Sequence, residues 1–219
     1  MQIIFLGSPG VGKGTQAKIL SNKLNIAHIS TGDMLREAIA HRTELGLKAK
    51  EIVDKGELVP DDLMGGIVKN VLLEEKCKNG FILDGFPRTL HQAEVLGHIF
   101  NELNISRPCL IHLEVDPEII IKRLSNRLAC SNCKSIISVN DLKDKTVCPV
   151  CSHKDTMYKR KDDDEEVVKK RLNVYKETTE PVINYYKEKA YVIVINGEGS
   201  VESVSENILR AVENCKIHY

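Results

Sequence analysis

The sequence predicts an α/β fold, a doubly wound parallel sheet with helices on both faces. Short and nearly continuous apolar runs alternate with longer segments of helical period, a pattern typical of central parallel strands covered on both sides. A glycine-rich loop directly follows the first apolar run, as in sheets that bind ligands at the carboxyl ends of their strands. The 219 residues suffice for one domain with inserted subdomains.

Four apolar runs are the predicted strands of this sheet. In chain order they are Gln2–Leu6, Phe81–Leu83, Leu110–Val115 and Tyr191–Ile195. Residues 31–59 predict short helices without a strong strand, ended by Gly56 and Pro60. Residues 128–159 differ from their surroundings, because they are polar, β-prone and carry paired cysteines. Both segments are therefore candidates for inserted subdomains.

Composition favours a cytoplasmic protein. Basic and acidic residues balance at 31 each, so no broad attraction to nucleic acid or to an anionic membrane is expected. No apolar run approaches the roughly 20 residues that span a bilayer. The first apolar run is also too short for a signal peptide. In the cytosol thiols stay reduced, and paired cysteines there are more often metal ligands than disulfides.

The segment Gly7–Thr15, GSPGVGKGT, predicts a phosphate-binding loop between a strand and a helix. Its glycines let the backbone curl so that several N–H groups converge on phosphate oxygens. Lys13 supplies a mobile charge for the β- and γ-phosphates, and the following helix adds the positive end of its dipole. The general pattern has Ser or Thr directly after the lysine, whereas here Gly14 precedes Thr15. The loop predicts a bound nucleoside triphosphate.

The segment Asp84–Arg88, DGFPR, follows a predicted strand and is expected to face the same crevice as the loop. Asp84 is then placed to hold Mg²⁺ through water, and Arg88 to bind a phosphate; the alternative for Asp84-Gly85 is a plain turn. Further arginines could surround a transferred phosphoryl group, although each alone is more typical of a solvated surface. They are Arg36, Arg123, Arg127, Arg160 and Arg171.

Two acidic features have competing interpretations. Asp33 is the one candidate base near the loop, but it could equally cap the helix that follows. A phosphate acceptor is already an anion and needs no base. The acidic run 162–166 is favourable at a helix N-terminus, and a role near the nucleotide is the alternative.

The cysteines Cys130, Cys133, Cys148 and Cys151 predict a structural zinc site. Their spacing, C-x₂-C-x₁₄-C-x₂-C, lets two tight turns aim four sulfurs at one tetrahedral ion. Four thiolates leave no open position for water or substrate, so the metal is expected to order the segment rather than to catalyse. The alternatives are a redox pair, a zinc ribbon that binds nucleic acid, or His153 as a ligand.

Several motifs in order make the chain resemble adenylate kinase, specifically the long-lid bacterial type with a zinc-binding lid. The motifs are GSPGVGKGTQ at 7–16, STGDMLR at 30–36, GELVPD at 56–61, DGFPRT at 84–89 with Gln92, RKDDD at 160–164, and Arg171. The resemblance implies a five-stranded parallel sheet and a single adenylate-kinase-like domain over 1–219. Its core would be 1–30, 60–126 and 165–219, its monophosphate-binding subdomain 31–59 and its lid 127–164.

The resemblance further implies a monomeric enzyme that transfers the γ-phosphoryl group of MgATP to AMP, reversibly giving two ADP, in adenine nucleotide homeostasis. It would bind ATP through Gly10, Val11, Gly12, Lys13, Gly14, Thr15, Arg123, Arg127, Ile136, Ile137 and Gly199. It would bind AMP through Thr31, Arg36, Glu57, Leu58, Val59, Gly85, Phe86, Pro87, Arg88, Gln92, Arg160 and Arg171. The charge-balancing catalytic residues would be Lys13, Arg88, Arg123, Arg160 and Arg171. Arg123 would also stack on adenine.

The lid departs from the family pattern, since Ile136-Ile137-Ser138 stands where zinc-type lids usually carry Thr-Tyr-His. Three other functions are weighed against the implied one. A kinase of pyrimidine nucleotides or GMP is disfavoured by the long lid and by Thr31 with Gln92. A kinase of a small hydroxylated metabolite would use Asp33 as base. A zinc-containing, nucleic-acid-binding ATPase is disfavoured by zero net charge.

Overall fold

The computed structural model of the protein describes residues 1–142 and 144–216. Lys143 and residues 217–219, which fall in the expected lid and core ranges, lie outside the described residues. The strands are β1 (Gln2–Leu6), β2 (Ala27–Ser30), β3 (Phe81–Asp84), β4 (Cys109–Glu114), β5 (Arg127–Cys130), β6 (Ile136–Ser138), β7 (Met157–Tyr158) and β8 (Tyr191–Asn196). The α-helices are α1 (Lys13–Leu24), α2 (Thr31–Ala40), α3 (Glu44–Asp54), α4 (Asp61–Leu72), α5 (Leu90–Glu102), α6 (Pro117–Ser125), α7 (Glu165–Val174), α8 (Glu180–Tyr186) and α9 (Val201–Lys216).

Shorter helical turns complete the described chain. Three are 3₁₀ turns and one is a π-helical turn between α7 and α8: Glu75–Cys77, Val139–Asp141, Lys161–Asp163 and Tyr175–Thr179, respectively. The π-helical turn keeps α7 and α8 in one continuous helical segment that passes along the site described below.

The central sheet of the described chain has five strands in the order β2-β3-β1-β4-β8, all parallel. Its two faces bury different residues, because successive side chains of a strand point to opposite sides. Ile4 and Leu83 pack toward one apolar cluster, while Ile3, Phe5 and Ile82 pack toward the other. A parallel sheet buried on both faces is the predicted doubly wound class, which is confirmed.

One strand of this sheet is missing from the four apolar runs. In β2, sequence AHIS, Ile29 is the only fully buried side chain. The strand lies at the edge of the sheet and pairs with β3 alone, so it needs less apolar surface than a central strand. Its register sets Ser30 beside Asp84 at the carboxyl ends of both strands.

A second sheet lies in the segment with the paired cysteines. Its three strands are antiparallel in the order β6-β5-β7. Cys130 ends β5, and a hydrogen bond from its N–H to the Ser135 carbonyl closes the first cysteine turn. The small sheet therefore frames the cysteines, as the polar and β-prone sequence indicates.

Candidate active site

The glycine loop curls around its own lysine. Gly7, Gly10 and Gly12 have φ angles of 146°, 84° and 104°, in a region that residues with a Cβ rarely adopt. The Lys13 ammonium donates to the carbonyl oxygens of Gly7 at 2.5 Å and Ser8 at 2.9 Å. Helix α1 begins at this lysine, so its free N–H groups face the same space.

Lys13 is a half-buried cation without a full counter-charge. Burial lowers the pKa of its ammonium to about 7, and the Asp84 carboxylate only partly opposes this shift. The guanidinium groups of Arg88 and Arg171 lower this pKa further. A phosphate at the loop would restore the charged lysine, so the site gains most from a ligand with high negative charge.

Gly14 lies beside the Asp84 carboxylate. A Cβ at Gly14 would lie 3.3 Å from Oδ2 of Asp84, which is closer than an ordinary contact. The missing side chain therefore leaves room for the Asp84 carboxylate beside the first turn of α1. Asp84 itself is buried at the end of β3. The expected magnesium-holding carboxylate and the loop thus lie together.

Thr31 and Arg88 meet at the backbone of Gly85. The Thr31 hydroxyl and the Arg88 Nε both donate to the Gly85 carbonyl, at 2.9 Å and 2.7 Å. A Cβ at Gly85 would lie 2.9 Å from each of these two side chains, and its φ is 84°. Burial lowers the pKa of the Arg88 guanidinium, although Asp84 opposes this effect.

Gln92 is engaged with the protein at both ends of its amide. Its Oε1 accepts from the Arg88 N–H at 2.7 Å, and its Nε2 donates to Oδ1 of Asp61 at 2.8 Å. The same Asp61 accepts the Thr89 hydroxyl at 2.6 Å. In this arrangement Gln92 fixes the backbone that carries Arg88.

Asp33 is paired with arginine instead of capping its helix. Ser30 is the cap of α2, since its hydroxyl accepts the Asp33 N–H at 3.3 Å. The Asp33 carboxylate accepts from Arg36 at 2.6 Å and lies 3.9 Å from Arg160. Burial opposes its ionisation, but Arg36, Arg160 and a hydrogen bond with Ser30 together lower the pKa of Asp33. A carboxylate held ionised in this way is a weak base, which disfavours the small-metabolite kinase.

The acidic run holds arginines in place. Oδ2 of Asp163 accepts from Arg127 Nε at 2.7 Å, and Oδ1 accepts from the Nη2 of the same arginine. Oδ2 of Asp162 lies 2.9 Å from Nη1 of Arg171. Only Asp164 caps α7, where its carboxylate accepts the Glu166 N–H at 3.3 Å. The expectation of charges at a helix N-terminus thus applies from Asp164 onward, and the two preceding aspartates are ion-pair partners.

Burial also lowers the pKa of the two remaining arginines of this group. It lowers the pKa of Arg160 to about 10, an effect that Arg36 and Arg127 enhance. It lowers the pKa of Arg171 to about 10 as well, while Asp162 opposes the shift. Both remain charged at neutral pH. The cations in and beside this region outnumber the carboxylates that pair with them. The cations are Lys13, Arg36, Arg88, Arg127, Arg160 and Arg171, and the carboxylates are Asp33, Asp84, Asp162 and Asp163.

Arg123 lies on the other side of the loop. Its Nη1 donates to the Val11 carbonyl at 3.3 Å and its Nη2 to the Gly197 carbonyl at 3.0 Å. It thereby joins the glycine loop to the turn that contains Gly199, whose φ is 99°. Arg123 is set apart from the arginine pairs around Asp162 and Asp163, and its role in binding adenine stays a prediction.

One cavity brings together most of the expected acceptor-site residues. Its lining includes Lys13, Thr31, Arg36, Glu57, Leu58, Val59, Gly85, Phe86, Pro87, Arg88, Gln92 and Arg171. The remaining expected residues are outside this lining: Gly10, Val11, Gly12, Gly14, Thr15, Asp84, Arg123, Arg127, Ile136, Ile137, Arg160 and Gly199. Ile136 is 37% exposed on β6, in the small sheet.

Sequence reasoning missed several residues of the cavity, among them Tyr175 and Thr179. The Thr179 hydroxyl donates to the Arg88 carbonyl at 2.9 Å, and the Tyr175 hydroxyl lies 3.0 Å from Nε2 of His112. Both belong to the π-helical turn, a feature often found at functional sites. Arg171, Tyr175 and Thr179 are four residues apart, so on a helix they lie on one face. This spacing could have identified both residues from the sequence.

The four paired cysteines form one cluster suited to a metal ion. Their sulfur atoms all lie within 4.8 Å of one another, and Cys130–Cys151 and Cys133–Cys148 are each 3.7 Å apart. Sulfurs about 2.3 Å from a central tetrahedral ion have about this separation. Burial opposes ionisation of Cys130, but hydrogen bonds with Thr156 and with nearby backbone N–H groups lower its pKa to about 6, whereas burial raises the pKa of Cys148 to about 11. A thiolate is the form that binds a metal.

Comparisons with known proteins agree along the whole chain. The family model for adenylate kinase matches residues 5–191. A protein named adenylate kinase from Thermosipho africanus is 51% identical over 214 residues, which cover 97% of this chain and 99% of the relative. One of the same name from Archaeoglobus fulgidus is 48% identical over 218 residues, covering 99% of this chain and 100% of the relative. A third, from Acetivibrio thermocellus, is 45% identical over 219 residues, with coverages of 99% and 100%.

The chain belongs to the adenylate kinase family. As a member of that family it is a nucleoside monophosphate kinase, and a nucleic-acid-binding ATPase is not favoured. The adenylate kinase fold also fits the five-stranded sheet and the loop geometry above. Within the described residues, no helix has both the length and the apolar character needed to cross a membrane.

Proposed function

We propose that the protein transfers the γ-phosphoryl group of ATP to AMP, reversibly giving two ADP, and so balances adenine nucleotides. The excess of half-buried cations over carboxylates carries this proposal. Two bound nucleotides bring several phosphate charges, which a set of half-buried arginines and a lysine can neutralise. The lowered pKa of Asp33 supports an acceptor that is already an anion, such as a phosphate.

The proposed mechanism is one of positioning and charge balance. The amides of the glycine loop and Lys13 hold the ATP phosphates, while Thr31, Arg36 and Arg88 hold AMP in the cavity. Arg88, Arg160 and Arg171 then surround the transferred group, where negative charge is spread over three oxygens. Magnesium bound with ATP would neutralise phosphate charge, and Asp84 would hold it through water.

We propose that residues 31–59 and 127–164 are subdomains that close over the two nucleotides. A contact of each range with the rest of the chain supports the proposed closure. Lys18 of α1 lies 3.5 Å from the Cys133 carbonyl, and Lys170 of α7 pairs with Glu57 at 2.5 Å. Closure would exclude water, which competes with AMP for the phosphoryl group.

The cysteine cluster would hold one structural zinc ion. Four thiolates complete its tetrahedral coordination, so the ion would shape the lid rather than bind substrate. We further propose a monomer located in the cytoplasm, with small nucleotides as partners and neither nucleic acid nor membrane among them. The balanced composition of 31 basic and 31 acidic residues supports the absence of nucleic acid and membrane partners, while the monomer rests on the resemblance alone.

A screen of nucleoside monophosphates with MgATP tests the proposal. Purified protein is mixed with AMP, GMP, CMP or UMP, and products are separated by ion-exchange chromatography. With AMP, ADP should form rapidly, two molecules for each AMP consumed. With the other three monophosphates, ADP should form much more slowly. Equal rates with a pyrimidine monophosphate would contradict the assigned acceptor, and release of inorganic phosphate without any acceptor would favour the ATPase.

A further inference from the structure

His28 lies directly behind Asp84 in the sheet. It belongs to the edge strand β2, whose neighbour β3 ends at Asp84, and Ser30 is the register partner of that aspartate. His28 is two residues before Ser30, so both side chains project on the same face of the sheet. Nε2 of His28 lies 3.5 Å from Oδ2 of Asp84, and the histidine side chain is 18% exposed.

This nitrogen has unused hydrogen-bonding capacity. Among the described residues, His28 Nε2 is one of four buried side-chain atoms that have no hydrogen-bond partner. A buried polar atom without a partner costs free energy, so native proteins rarely keep one without a reason. A small rotation of either side chain would bring the ring nitrogen within a hydrogen bond of the carboxylate.

Asp84 occupies a confined position that such a bond would fix. Its Oδ2 lies 3.3 Å from the place that a Cβ of Gly14 would take, at the first turn of α1. The same oxygen faces His28 from the sheet side. The carboxylate is thus held between the nucleotide-binding helix and the imidazole.

We propose that His28 is a positioning residue for Asp84. Its ring N–H donates to Oδ2 and orients the carboxylate toward the magnesium that accompanies ATP. The inference rests on the proposed function, since it assumes that Asp84 acts on the metal of MgATP. His28 touches neither nucleotide nor metal, and acts through Asp84 alone.

The proposal distinguishes a donor from a space-filling side chain. His28→Leu keeps a side chain of similar size but removes the donor, whereas His28→Gln keeps an N–H donor. A hydrogen bond to a charged group contributes enough that its loss changes an equilibrium about tenfold. His98, an exposed histidine on α5, offers the matched control His98→Leu.

The test measures binding of diadenosine pentaphosphate, a bisubstrate probe, by titration calorimetry with Mg²⁺ and with EDTA. The measured quantity is the dissociation constant in EDTA divided by the dissociation constant in Mg²⁺. This ratio isolates the effect of the metal. His28→Leu and Asp84→Asn should each lower this ratio about tenfold, and His28→Gln by less than about threefold. The double variant should resemble Asp84→Asn alone, because His28 acts through that carboxylate. His98→Leu should equal the unmodified protein.

The outcomes separate this proposal from the function on which it rests. If Asp84→Asn lowers the ratio and His28→Leu does not, the positioning role is wrong while the function stands. Equal weakening of binding by His28→Leu with and without Mg²⁺ would show a structural role only. If the unmodified protein shows no magnesium effect, both the metal assignment and this proposal fail. Should His28→Leu not fold, His28→Ala takes its place beside the glutamine variant.

Discussion

Asp163 and Asp164 are adjacent aspartates with different physical roles. The Asp163 side chain is fully buried and accepts two hydrogen bonds from Arg127, with Arg171 3.6 Å away. Asp164 is exposed and caps α7. Removing one partner of a buried ion pair leaves the other charge without compensation in the protein interior.

We therefore expect Asp163→Ala to lower the free energy of unfolding by about 3–5 kcal/mol. Asp164→Ala, which removes only a helix cap, should lower it by about 1 kcal/mol. Urea unfolding at neutral pH measures both values, with the unmodified protein as reference. Similar losses for the two variants would show that the whole acidic run acts through the end of α7.

At this scale the sequence predicts residue types better than their partners. The motif positions Lys13, Thr31 and Arg88 do line one cavity. Gln92 lines it too, but its amide also bonds Arg88 and Asp61, and the pairing with Asp61 spans 31 positions of the chain. Local patterns carry no information on such a pairing, because it depends on how α4 and α5 pack together.

Among the elements, strands with many buried residues were predicted correctly, whereas the edge strand with few buried residues was not. The central strands are continuous apolar runs and were found, whereas β2 was not, since it has one buried residue in four. The π-helical turn after α7 was also not predicted. Its residues follow an ordinary helical pattern. Pro181 predicts that the helix ends before it, whereas in the structure the helical segment continues through α8.

The cysteine cluster is the element with the clearest metal dependence. We expect about one zinc per chain in the purified protein, measured by elemental analysis. Cys148→Ser should weaken zinc retention and lower the melting temperature more than it lowers turnover at low temperature. The reason is that a closed four-thiolate site orders the lid and takes no part in the chemistry.

His153→Gln is the control for the zinc prediction. His153 is exposed, and its Nδ1 lies 3.1 Å from the Cys151 carbonyl, so it neighbours the cluster without belonging to it. This variant should keep about one zinc and the melting temperature of the unmodified protein. Absence of metal from freshly purified protein, or loss of zinc in His153→Gln, would contradict the four-cysteine assignment.

Across the whole molecule, helix α7 links Arg171 to residues 31–59, the proposed acceptor subdomain. Arg171 lines the cavity, and the preceding residue, Lys170, pairs with Glu57 on the other side of it. Lys161 adds a looser pair with Asp54 of α3, at 3.8 Å. These contacts join segments more than 100 positions apart, and they can form only when residues 31–59 approach α7 and the 3₁₀ turn Lys161–Asp163 before it.

The Glu57–Lys170 pair offers a test of this approach by charge reversal. Glu57→Lys and Lys170→Glu should each raise the KM for AMP by up to about fivefold, because like charges then oppose closure of the acceptor subdomain; the scale is that of an exposed ion pair. The double variant restores opposite charges and should recover most of the loss, while kcat changes less than KM. Steady-state kinetics at low and high salt measure the effect, which should shrink as salt screens the charges. If Glu57→Lys and the double variant are equally impaired at low salt while Lys170→Glu is not, the pair has no part in closure and Glu57 acts on AMP directly.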